Sequence, residues 1–330
     1  MRAAVSTEYG PPDVVRVLDV RRPDPADDEL LIKVHASTVN RTDCGYRAAK
    51  PFPIRFLSGW RRPKVPVLGT EFAGVVETKG AGVTSFQVGD RICGWSEGSF
   101  GAHAEYMTVR ADRPLNCLIP EGVSFEKAAP STEGSHYALS FLRRAGVQAG
   151  QDVMVYGATG AIGSAAVQLA KGLGLRVTAV CGTQDVDLVK GLGADRVVDY
   201  MTEDFTRDTE RYDLVIDAVG KSSFWKCRRL LKAKGIYTAS DRPWAQKPGL
   251  FVPVFLGWLI VSWLTKSLRG RRQMFVGAQN DAEGLRWLKD QIESGTFRPV
   301  IDRTYPLGEI VEAYRYVETG QKIGNVVIKI

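Results

Sequence analysis

The stretch Val153-Met-Val-Tyr-Gly157-Ala-Thr-Gly160-Ala-Ile-Gly163-Ser-Ala-Ala-Val-Gln-Leu-Ala170 decides the fold, because its pattern predicts a buried strand, a glycine turn and a helix in immediate succession. We expect Gly157 to permit the tight exit from the strand, Gly160 to let the backbone approach a pyrophosphate, and Gly163 to let the helix pack close to the sheet. The helix amino terminus then offers unpaired N–H groups to an anion. Glycine is common here, at 34 of 330 residues, so the flanking strand and helix carry the prediction of a phosphate cradle.

Around this turn, strands and helices alternate, which predicts parallel β-α-β units and an open, doubly wound sheet. The turn lies at the carboxyl end of its strand, where such sheets bind ligands. After helices within 124–144, the predicted elements are strand 152–156, helix 160–173, strand 175–180, helix 185–192, strand 196–200, strand 213–217, helix 222–232 and strand 235–239.

The first third of the chain has a different pattern. Short segments with alternating apolar residues, separated by Gly and Pro, predict a compact β-barrel-like domain with strands at 29–35, 72–77, 90–94 and 104–109. An amphipathic helix is predicted at 281–294. The chain ends in a further strand at 325–330, so we expect its tail to return to the first domain.

The composition is that of a soluble globular protein, with 44% hydrophobic and 25% charged residues, and the length suits two domains. Met1-Arg-Ala-Ala-Val begins directly with a strand pattern, so a cytoplasmic location is expected.

The five cysteines are scattered singly and are expected to be reduced, mostly buried thiols. The net charge of +7 could attract nucleic acid or anionic lipid, but solvated surface and attraction of an anionic cofactor are favoured, because no nucleic-acid fold signature accompanies it.

The most apolar stretch, residues 251–264, has three possible roles. Its 14 residues include Pro253 and Gly257 and fall short of the roughly 20 that span a bilayer. In order of preference it is part of a subunit interface or core, the wall of an apolar substrate pocket, or a membrane-surface anchor. The basic residues that follow, up to Arg272, are compatible with peripheral membrane contact through 251–272.

Fragments over the whole length resemble the zinc-independent branch of the medium-chain dehydrogenase/reductase superfamily, the quinone oxidoreductase and enone (2-alkenal) reductase group. These fragments are the glycine turn, Pro66-Val-Leu-Gly-Thr-Glu-Phe-Ala-Gly-Val-Val76, Val88-Gly-Asp-Arg-Ile-Cys-Gly94, Gly101-Ala-His-Ala-Glu-Tyr106, Leu192-Gly-Ala-Asp-Arg-Val-Val-Asp-Tyr200, Tyr212-Asp-Leu-Val-Ile-Asp217, Pro299-Val-Ile-Asp302 and Gly324-Asn-Val-Val-Ile328. The resemblance implies an α/β protein with a GroES-like substrate domain (1–121 and 296–330), a Rossmann NAD(P)-binding domain (122–295), an active-site cleft where they meet, and a homodimer.

The resemblance also bears on zinc. Zinc-dependent relatives use a His in a Gly-His-Glu motif, whereas this chain has Gly69-Thr70-Glu71, and it lacks the four-cysteine lobe of the structural zinc. Cys44 and Glu71 are interpreted as a buried thiol and a structural carboxylate. The three histidines are expected to pack or to form hydrogen bonds rather than to bind metal: His35, His103 and His136. Hydride chemistry without zinc is therefore expected.

NADPH is the expected cofactor, with NADH possible, because positions 180–184 at the end of the second Rossmann strand carry no acid that would repel a 2′-phosphate. Thr183 could donate to that phosphate, Tyr200 matches the family tyrosine near it, and Asp185 is interpreted as a helix N-cap. By resemblance, the cofactor-binding residues are Gly157, Ala158, Thr159, Gly160, Ala161, Ile162, Gly163, Cys181, Thr183, Tyr200, Val219 and Asn325.

The expected substrate is an apolar quinone or an α,β-unsaturated carbonyl compound. The segment Asn40-Arg-Thr-Asp-Cys-Gly-Tyr46 resembles the family's cleft segment, so Asn40 and Tyr46 are candidates for positioning nicotinamide and substrate, although both could be ordinary turn and packing residues. An enoyl thioester is the alternative substrate. A role of another class, like that of ζ-crystallin relatives that bind RNA or sense nucleotides, also stays open.

Overall fold

The computed structural model describes residues 1–96, 98–240, 260, 270–274 and 282–330. Two compact units divide the chain: Met1–Glu133 with Leu285–Ile330, and Gly134–Gly284. The predicted domain bounds at 121/122 and 295/296 differ from these units, because residues on both sides of each bound contact the first unit. Glu71 accepts the Glu133 N–H at 2.7 Å, and Glu293 accepts the Leu118 N–H at 2.8 Å.

The elements of the chain up to residue 133 are mostly strands. They are β1 (Arg2–Val5), β2 (Arg16–Asp19), β3 (Glu29–Val39), α1 (Arg41–Ala48), α2 (Ile54–Ser58), β4 (Glu71–Lys79), β5 (Arg91–Trp95), β6 (Tyr106–Arg110), β7 (Cys117–Leu118) and α3 (Phe125–Ala128).

Strands and helices alternate in the rest of the chain. The described elements are α4 (Glu133–Ala145), β8 (Asp152–Tyr156), α5 (Ala161–Gly172), β9 (Arg176–Cys181), α6 (Val186–Gly191), β10 (Arg196–Asp199), β11 (Tyr212–Asp217), α7 (Phe224–Cys227), β12 (Leu231–Ala239), β13 (Arg272–Met274), α8 (Ala282–Glu293), β14 (Ile301–Pro306), α9 (Ile310–Glu318) and β15 (Asn325–Lys329).

The main sheet of the first unit has the order β14-β15-β3-β4-β5-β7, and β6 pairs with β3. The last strand, β15, runs antiparallel to β3, with Val326 opposite Val39, and parallel to β14. Leu30, Ile32 and Phe72 are fully buried in its core. The expected return of the chain end to the first domain is therefore confirmed.

The sheet of the second unit is parallel throughout its described part, in the order β10-β9-β8-β11-β12-β13. Its inner strand β8 buries Val153, Met154 and Val155 completely. The strand order reverses at β8, and the glycine turn follows directly from its carboxyl end, the position where doubly wound sheets bind their ligands. The predicted fold class, a GroES-like β-rich domain with a Rossmann-type parallel sheet, is confirmed.

The helix predicted at 222–232 is wrong in length. Only Phe224–Cys227 is α-helical, one 3-10 turn follows, and β12 begins at Leu231. The apolar Leu230 and Leu231 fit either a helix or a buried strand by periodicity alone. In the structure, Leu231 pairs with Tyr212 of β11, so the chain is already in the sheet at this position. The ammonium of Lys232 lies 2.6 and 2.7 Å from the carboxylates of Asp152 and Asp213.

Most of residues 251–272, including nearly all of the apolar stretch, lies outside the described residues. Within the described ranges, every helix is too short or too polar to cross a membrane.

Candidate functional site

The glycine turn of the second unit leaves space only at its middle position. Gly157 has φ +79°, and a Cβ there would lie 2.5 Å from a methyl group of Val219. At Gly163 a Cβ would lie 2.0 Å from the Gly157 carbonyl oxygen, so helix α5 packs on the turn only with glycine at this position. A Cβ at Gly160 would meet only that same oxygen, at 3.8 Å. The turn is therefore open where an anion would approach.

The amino terminus of α5 supplies the donors at this opening. Gly160 is the N-cap residue, and the first intrahelical bond there runs from the Ser164 N–H to the Gly160 carbonyl at 2.8 Å. The N–H groups of Ala161, Ile162 and Gly163 thus precede the helical bonding pattern and carry the positive end of the helix dipole. Such groups fit a diphosphate. Ala158, by contrast, is fully buried, and its N–H donates to the Val180 carbonyl at 3.2 Å.

A buried carboxylate fixes the loop that carries Val219. Asp217, at the end of β11, accepts hydrogen bonds from the N–H groups of Val219, Gly220 and Ser222 at 3.2, 2.7 and 2.8 Å, and from the Tyr237 hydroxyl at 2.8 Å. Burial raises the pKa of this carboxyl, and the hydrogen bonds oppose that rise. Because Val219 lies against Gly157, Asp217 indirectly sets the wall of the turn, a role that its place in a strand pattern does not reveal.

The end of β9 brings the expected 2′-phosphate contacts close to an acid of the next strand. The Thr183 hydroxyl donates to Asp199 at 2.5 Å, and the Tyr200 ring is half exposed beside Gly182. Cys181 is buried, which raises the pKa of its thiol to about 11. Asp199 ends β10 and lies outside positions 180–184, so the residues at the end of β9 do not reveal this acid in the sequence.

Asp185 was predicted to cap helix α6, and only its position agrees with that prediction. Asp185 holds the N-cap position of α6, but its side chain makes no capping hydrogen bond. The reason is the preceding 3-10 turn, Thr183–Asp185, which places this residue at φ −108° and ψ 3° rather than in the extended conformation of a capping residue.

In the first unit, Asn40, Thr70 and Glu133 form a buried hydrogen-bonded cluster. The Asn40 amide donates to the Thr70 hydroxyl at 2.6 Å and also to Glu133, and the Thr70 hydroxyl donates to Glu133 at 3.0 Å. Thr42 adds a further donor to Glu133 at 2.5 Å. Asn40 also caps α1 by accepting the Asp43 N–H at 2.9 Å. Both hydrogens of the Asn40 amide are therefore donated within the protein.

Glu133 is the residue of this cluster that sequence analysis missed, because it is an isolated acid at the start of a helix, far in sequence from Thr70. Lys322 is a second residue that the sequence does not single out, although its ammonium group feels the charge of Glu133. Burial lowers the pKa of its ammonium group to about 8, the negative charge of Glu133 opposes this shift, and the ammonium donates to the Gly324 carbonyl.

Glu71 and Cys44, the two groups that remained as possible zinc ligands, lie in different surroundings. Glu71 accepts the N–H groups of Thr132 and Glu133 at 3.1 and 2.7 Å, which caps the start of α4. Burial raises the pKa of its carboxyl. Cys44 is buried in an apolar cluster with Ile310, and burial raises the pKa of its thiol to about 12. Glu71 is therefore a structural carboxylate, and Cys44 is a buried thiol.

The histidines pack as expected. His103 is buried with its Nε2 2.8 Å from the Thr38 carbonyl oxygen, and burial lowers the pKa of its imidazole to about 4. The His35 ring stacks on Phe125 at 4.4 Å, and His136 is buried. Among the residues that the structure describes, no three His, Cys, Asp or Glu side chains converge as a metal site would require.

Tyr46 lines a cavity of about 160 Å³ in the first unit. Its ring packs edge-on against Phe100, with centroids 4.7 Å apart, and Ser6, Tyr9 and Ser58 line the same cavity. A cavity near 150 Å³ holds one benzene-sized ring. A contact of Tyr46 with the substrate stays a prediction, and Asn40 belongs to the buried polar cluster rather than to the lining of this cavity.

Asn325 has a structural bond in this unit. It is buried at the start of β15, and its amide donates to the Val300 carbonyl at 2.9 Å. Its assignment to cofactor binding stays a prediction.

Comparison with known proteins identifies the family. Residues 26–120 match the family described as alcohol dehydrogenase GroES-like domain, and residues 192–328 match the one described as zinc-binding dehydrogenase. A 2-methylene-furan-3-one reductase of Solanum lycopersicum is 31% identical over 99% of this chain and 79% of its own length. An NADPH-dependent alkenal/one oxidoreductase, chloroplastic, of Arabidopsis thaliana is 29% identical with the same coverage.

A solved structure agrees. A quinone oxidoreductase from Coxiella burnetii superposes with a TM-score of 0.82 at 28% identity, over 100% of this chain and 99% of that one. The chain therefore belongs to the quinone oxidoreductase and enone reductase group of the medium-chain dehydrogenase/reductase family.

Proposed function

We propose that the protein uses NADPH, without zinc, to reduce a quinone or a carbon–carbon double bond conjugated to a carbonyl group. The observation that carries the zinc-free part is the Asn40, Thr70 and Glu133 cluster. The threonine replaces the metal-binding His of zinc-dependent relatives, and its hydroxyl is hydrogen-bonded on both sides within the protein. An amide, a hydroxyl and one carboxylate form a poor zinc ligand set.

The glycine turn of the second unit fits the diphosphate of the cofactor. Gly160 leaves the approach open, and the N–H groups of residues 161–163 supply donors and positive charge. When bound, the nicotinamide supplies a hydride equivalent. Asp217 holds Val219 beside this turn, so that the loop presents a fixed apolar wall. Tyr46 is proposed to orient the substrate ring in the cavity of the first unit.

NADPH is proposed as the preferred reductant, and NADH as a weaker one. Thr183 and Tyr200 carry hydroxyl groups at the end of β9, where the Thr183 hydroxyl would exchange its bond to Asp199 for one to the 2′-phosphate. The Arabidopsis relative is named as NADPH-dependent. Asp199 acts in the opposite direction, because a carboxylate bonded to Thr183 repels a 2′-phosphate and favours a ribose hydroxyl. We therefore propose a modest preference for NADPH.

The proposal is tested by steady-state NADPH oxidation against a panel of quinones, enals and enones, with metal content measured on the same sample. We expect turnover that persists after treatment with a strong chelator. Silence across the panel in protein that binds NADPH would overturn the proposed substrate class. Faster reduction of an enoyl thioester than of its free enone analogue would favour the alternative substrate.

Two further assignments accompany this proposal. The homodimer implied by the family is checked by light scattering coupled to gel filtration. The cytoplasmic location stays a prediction, to be checked by cell fractionation, since the Arabidopsis relative is described as chloroplastic. An RNA-binding role with little turnover requires an affinity for RNA that falls steeply with salt. A gel-shift titration at two salt concentrations tests this role, and the NADPH oxidation assay tests turnover separately.

A further inference from the structure

The segment from the second half of α1 to the start of β4 has an unusual charge distribution. Residues 44–70 contain no Asp or Glu but six basic residues: Arg47, Lys50, Arg55, Arg61, Arg62 and Lys64. Lys50, Arg61, Arg62 and Lys64 are exposed, and among the described residues none of these four side chains forms an ion pair. This part of the first unit is therefore a locally cationic surface.

Three exposed aromatic rings lie within the same segment. Phe52, Phe56 and Trp60 are 50%, 64% and 57% exposed. Their rings pack on one another, with the Trp60 centroid 5.7 Å from Phe52 and 5.3 Å from Phe56. They form one contiguous apolar patch rather than scattered surface residues, and we call Phe52, Phe56, Trp60, Arg61 and Arg62 the aromatic–basic patch. Such apolar patches mark interaction sites.

The patch is held on the unit by Arg55. The guanidinium of Arg55 donates to the Trp60 carbonyl at 2.9 Å and lies 4.7 Å from the centre of the Tyr9 ring. The Tyr9 hydroxyl in turn donates to the Gly59 carbonyl at 2.7 Å. These contacts fix the loop backbone, so that the exposure of Trp60 is a feature of the fold.

We propose that the aromatic–basic patch docks the protein on an anionic membrane surface. Tryptophan and phenylalanine partition to the boundary between headgroups and acyl chains, and arginines beside them are attracted to anionic headgroups. The excess of positive charge disfavours a second copy of the chain as the occupant, because a two-fold interface would place the arginines of both copies together. The aromatic cluster distinguishes the patch from a purely electrostatic site for nucleic acid.

The cavity that contains Tyr46 lies against the same segment, and if the proposed function holds, docking brings its substrate entrance to the membrane. Ser58, Pro63 and Lys64 belong to the same segment and line the cavity that contains Tyr46. The segment that contacts lipid is thus also the wall of the substrate cavity. A quinone or enone dissolved in the membrane would enter the cavity from the lipid side rather than through water.

Vesicle co-sedimentation tests the docking without any need for turnover. The full chain is mixed with vesicles of phosphatidylcholine alone or of an equal mixture with phosphatidylglycerol, at low and high salt. We expect binding to the anionic vesicles that weakens with salt. Arg61→Gln with Arg62→Gln should lower the partition coefficient by about 30-fold, roughly fivefold for each charge. Trp60→Ala should lower it by about tenfold.

Matched controls use a similarly exposed tryptophan of the second unit. Trp225 is 66% exposed, so Trp225→Ala should leave binding unchanged. With bromine-labelled lipid, Trp60→Phe should remove quenching of tryptophan fluorescence, whereas Trp225→Phe should not. Thermal unfolding of each variant confirms that its fold is retained.

Three results would overturn the proposal. One is wild-type protein that stays in the supernatant with anionic vesicles. Another is binding that survives all the patch substitutions but disappears in a Trp258→Ala, Trp263→Ala variant, which would assign the contact to residues 251–272. The third is a Trp60→Ala variant that only changes the oligomeric state in sedimentation velocity. None of these results depends on NADPH oxidation, so failure of the docking is distinguishable from failure of the proposed reaction.

Discussion

Substitution of Gly160 by alanine separates cofactor binding from folding. The backbone of Gly160 has φ −69° and ψ 171°, which alanine adopts without strain, and the added Cβ would meet only the Gly157 oxygen at 3.8 Å. Alanine is a poorer N-cap than glycine by about 1 kcal/mol, whereas loss of glycine entropy returns roughly 0.4–1 kcal/mol. We therefore expect Gly160→Ala to change the free energy of unfolding by less than about 1 kcal/mol.

The effect on NADPH binding should be much larger. The methyl group would stand in the open side of the turn, where it keeps a diphosphate away from the N–H groups of Ala161, Ile162 and Gly163. Loss of one or two hydrogen bonds to a charged group costs about 2–4 kcal/mol. The dissociation constant for NADPH should rise by about 30- to 1000-fold.

Fluorescence titration with NADPH and thermal unfolding of the same samples measure the two quantities. Gly163→Ala is the informative comparison, because its Cβ would lie 2.0 Å from the Gly157 oxygen and the overlap should cost about 1–3 kcal/mol of stability. A Gly160→Ala protein that binds NADPH like the wild type would refute the assignment of the turn to the diphosphate. A Gly160→Ala protein that unfolds like Gly163→Ala would refute the packing argument.

Three other substitutions test separate parts of the structure. Asp199→Asn removes the negative charge beside Thr183, so the ratio of kcat/KM for NADPH to that for NADH should rise by about tenfold in steady-state assays, and an unchanged ratio would contradict the proposed repulsion. His103 is buried, and its pKa falls from 6.5 in the unfolded chain to about 4 in the fold. Its contribution to stability is therefore complete above pH 6.5 and is lost as the pH falls toward 4, by up to about 3 kcal/mol. In urea unfolding at a series of pH values, His103→Gln should show a shallower loss over this window, and parallel curves would exclude the assignment. Asn40→Ala removes a helix cap and a donor to buried Glu133, and should lower the free energy of unfolding by about 2–4 kcal/mol in denaturant titrations; a loss below the cost of the cap alone would show that Glu133 is held by its other donors.

The second unit was largely predictable from sequence for a physical reason. Its inner strands β8, β9 and β11 are largely buried on both faces, so each is a short apolar run in the sequence, and glycine follows β8 at the turn. The error at 222–232 arose where this signal fails, because Leu230 and Leu231 are equally apolar in a helix and in a strand. The capping error at Asp185 arose because a 3-10 turn precedes α6, and sequence periodicity does not show such a turn.

The polar cluster of the first unit was only half predictable. The motif around Asn40 and the replacement at Thr70 are visible in sequence because both lie within recognisable fragments. Glu133, like Asp199 in the second unit, is a single acid whose contacts depend on which strand or helix the fold places beside it. Long-range hydrogen bonds of this kind leave no local pattern in the chain.

The place of β15 inside the first sheet has a consequence for biosynthesis. The strand lies between β14 and β3, yet the ribosome makes it only after the whole of the second unit. At about 5–20 residues per second, β3 waits on the order of 10–60 s for its neighbour. During that time an apolar strand edge is open to wrong partners. The nascent chain thus has its greatest need of a chaperone while its amino-terminal unit is synthesised but incomplete.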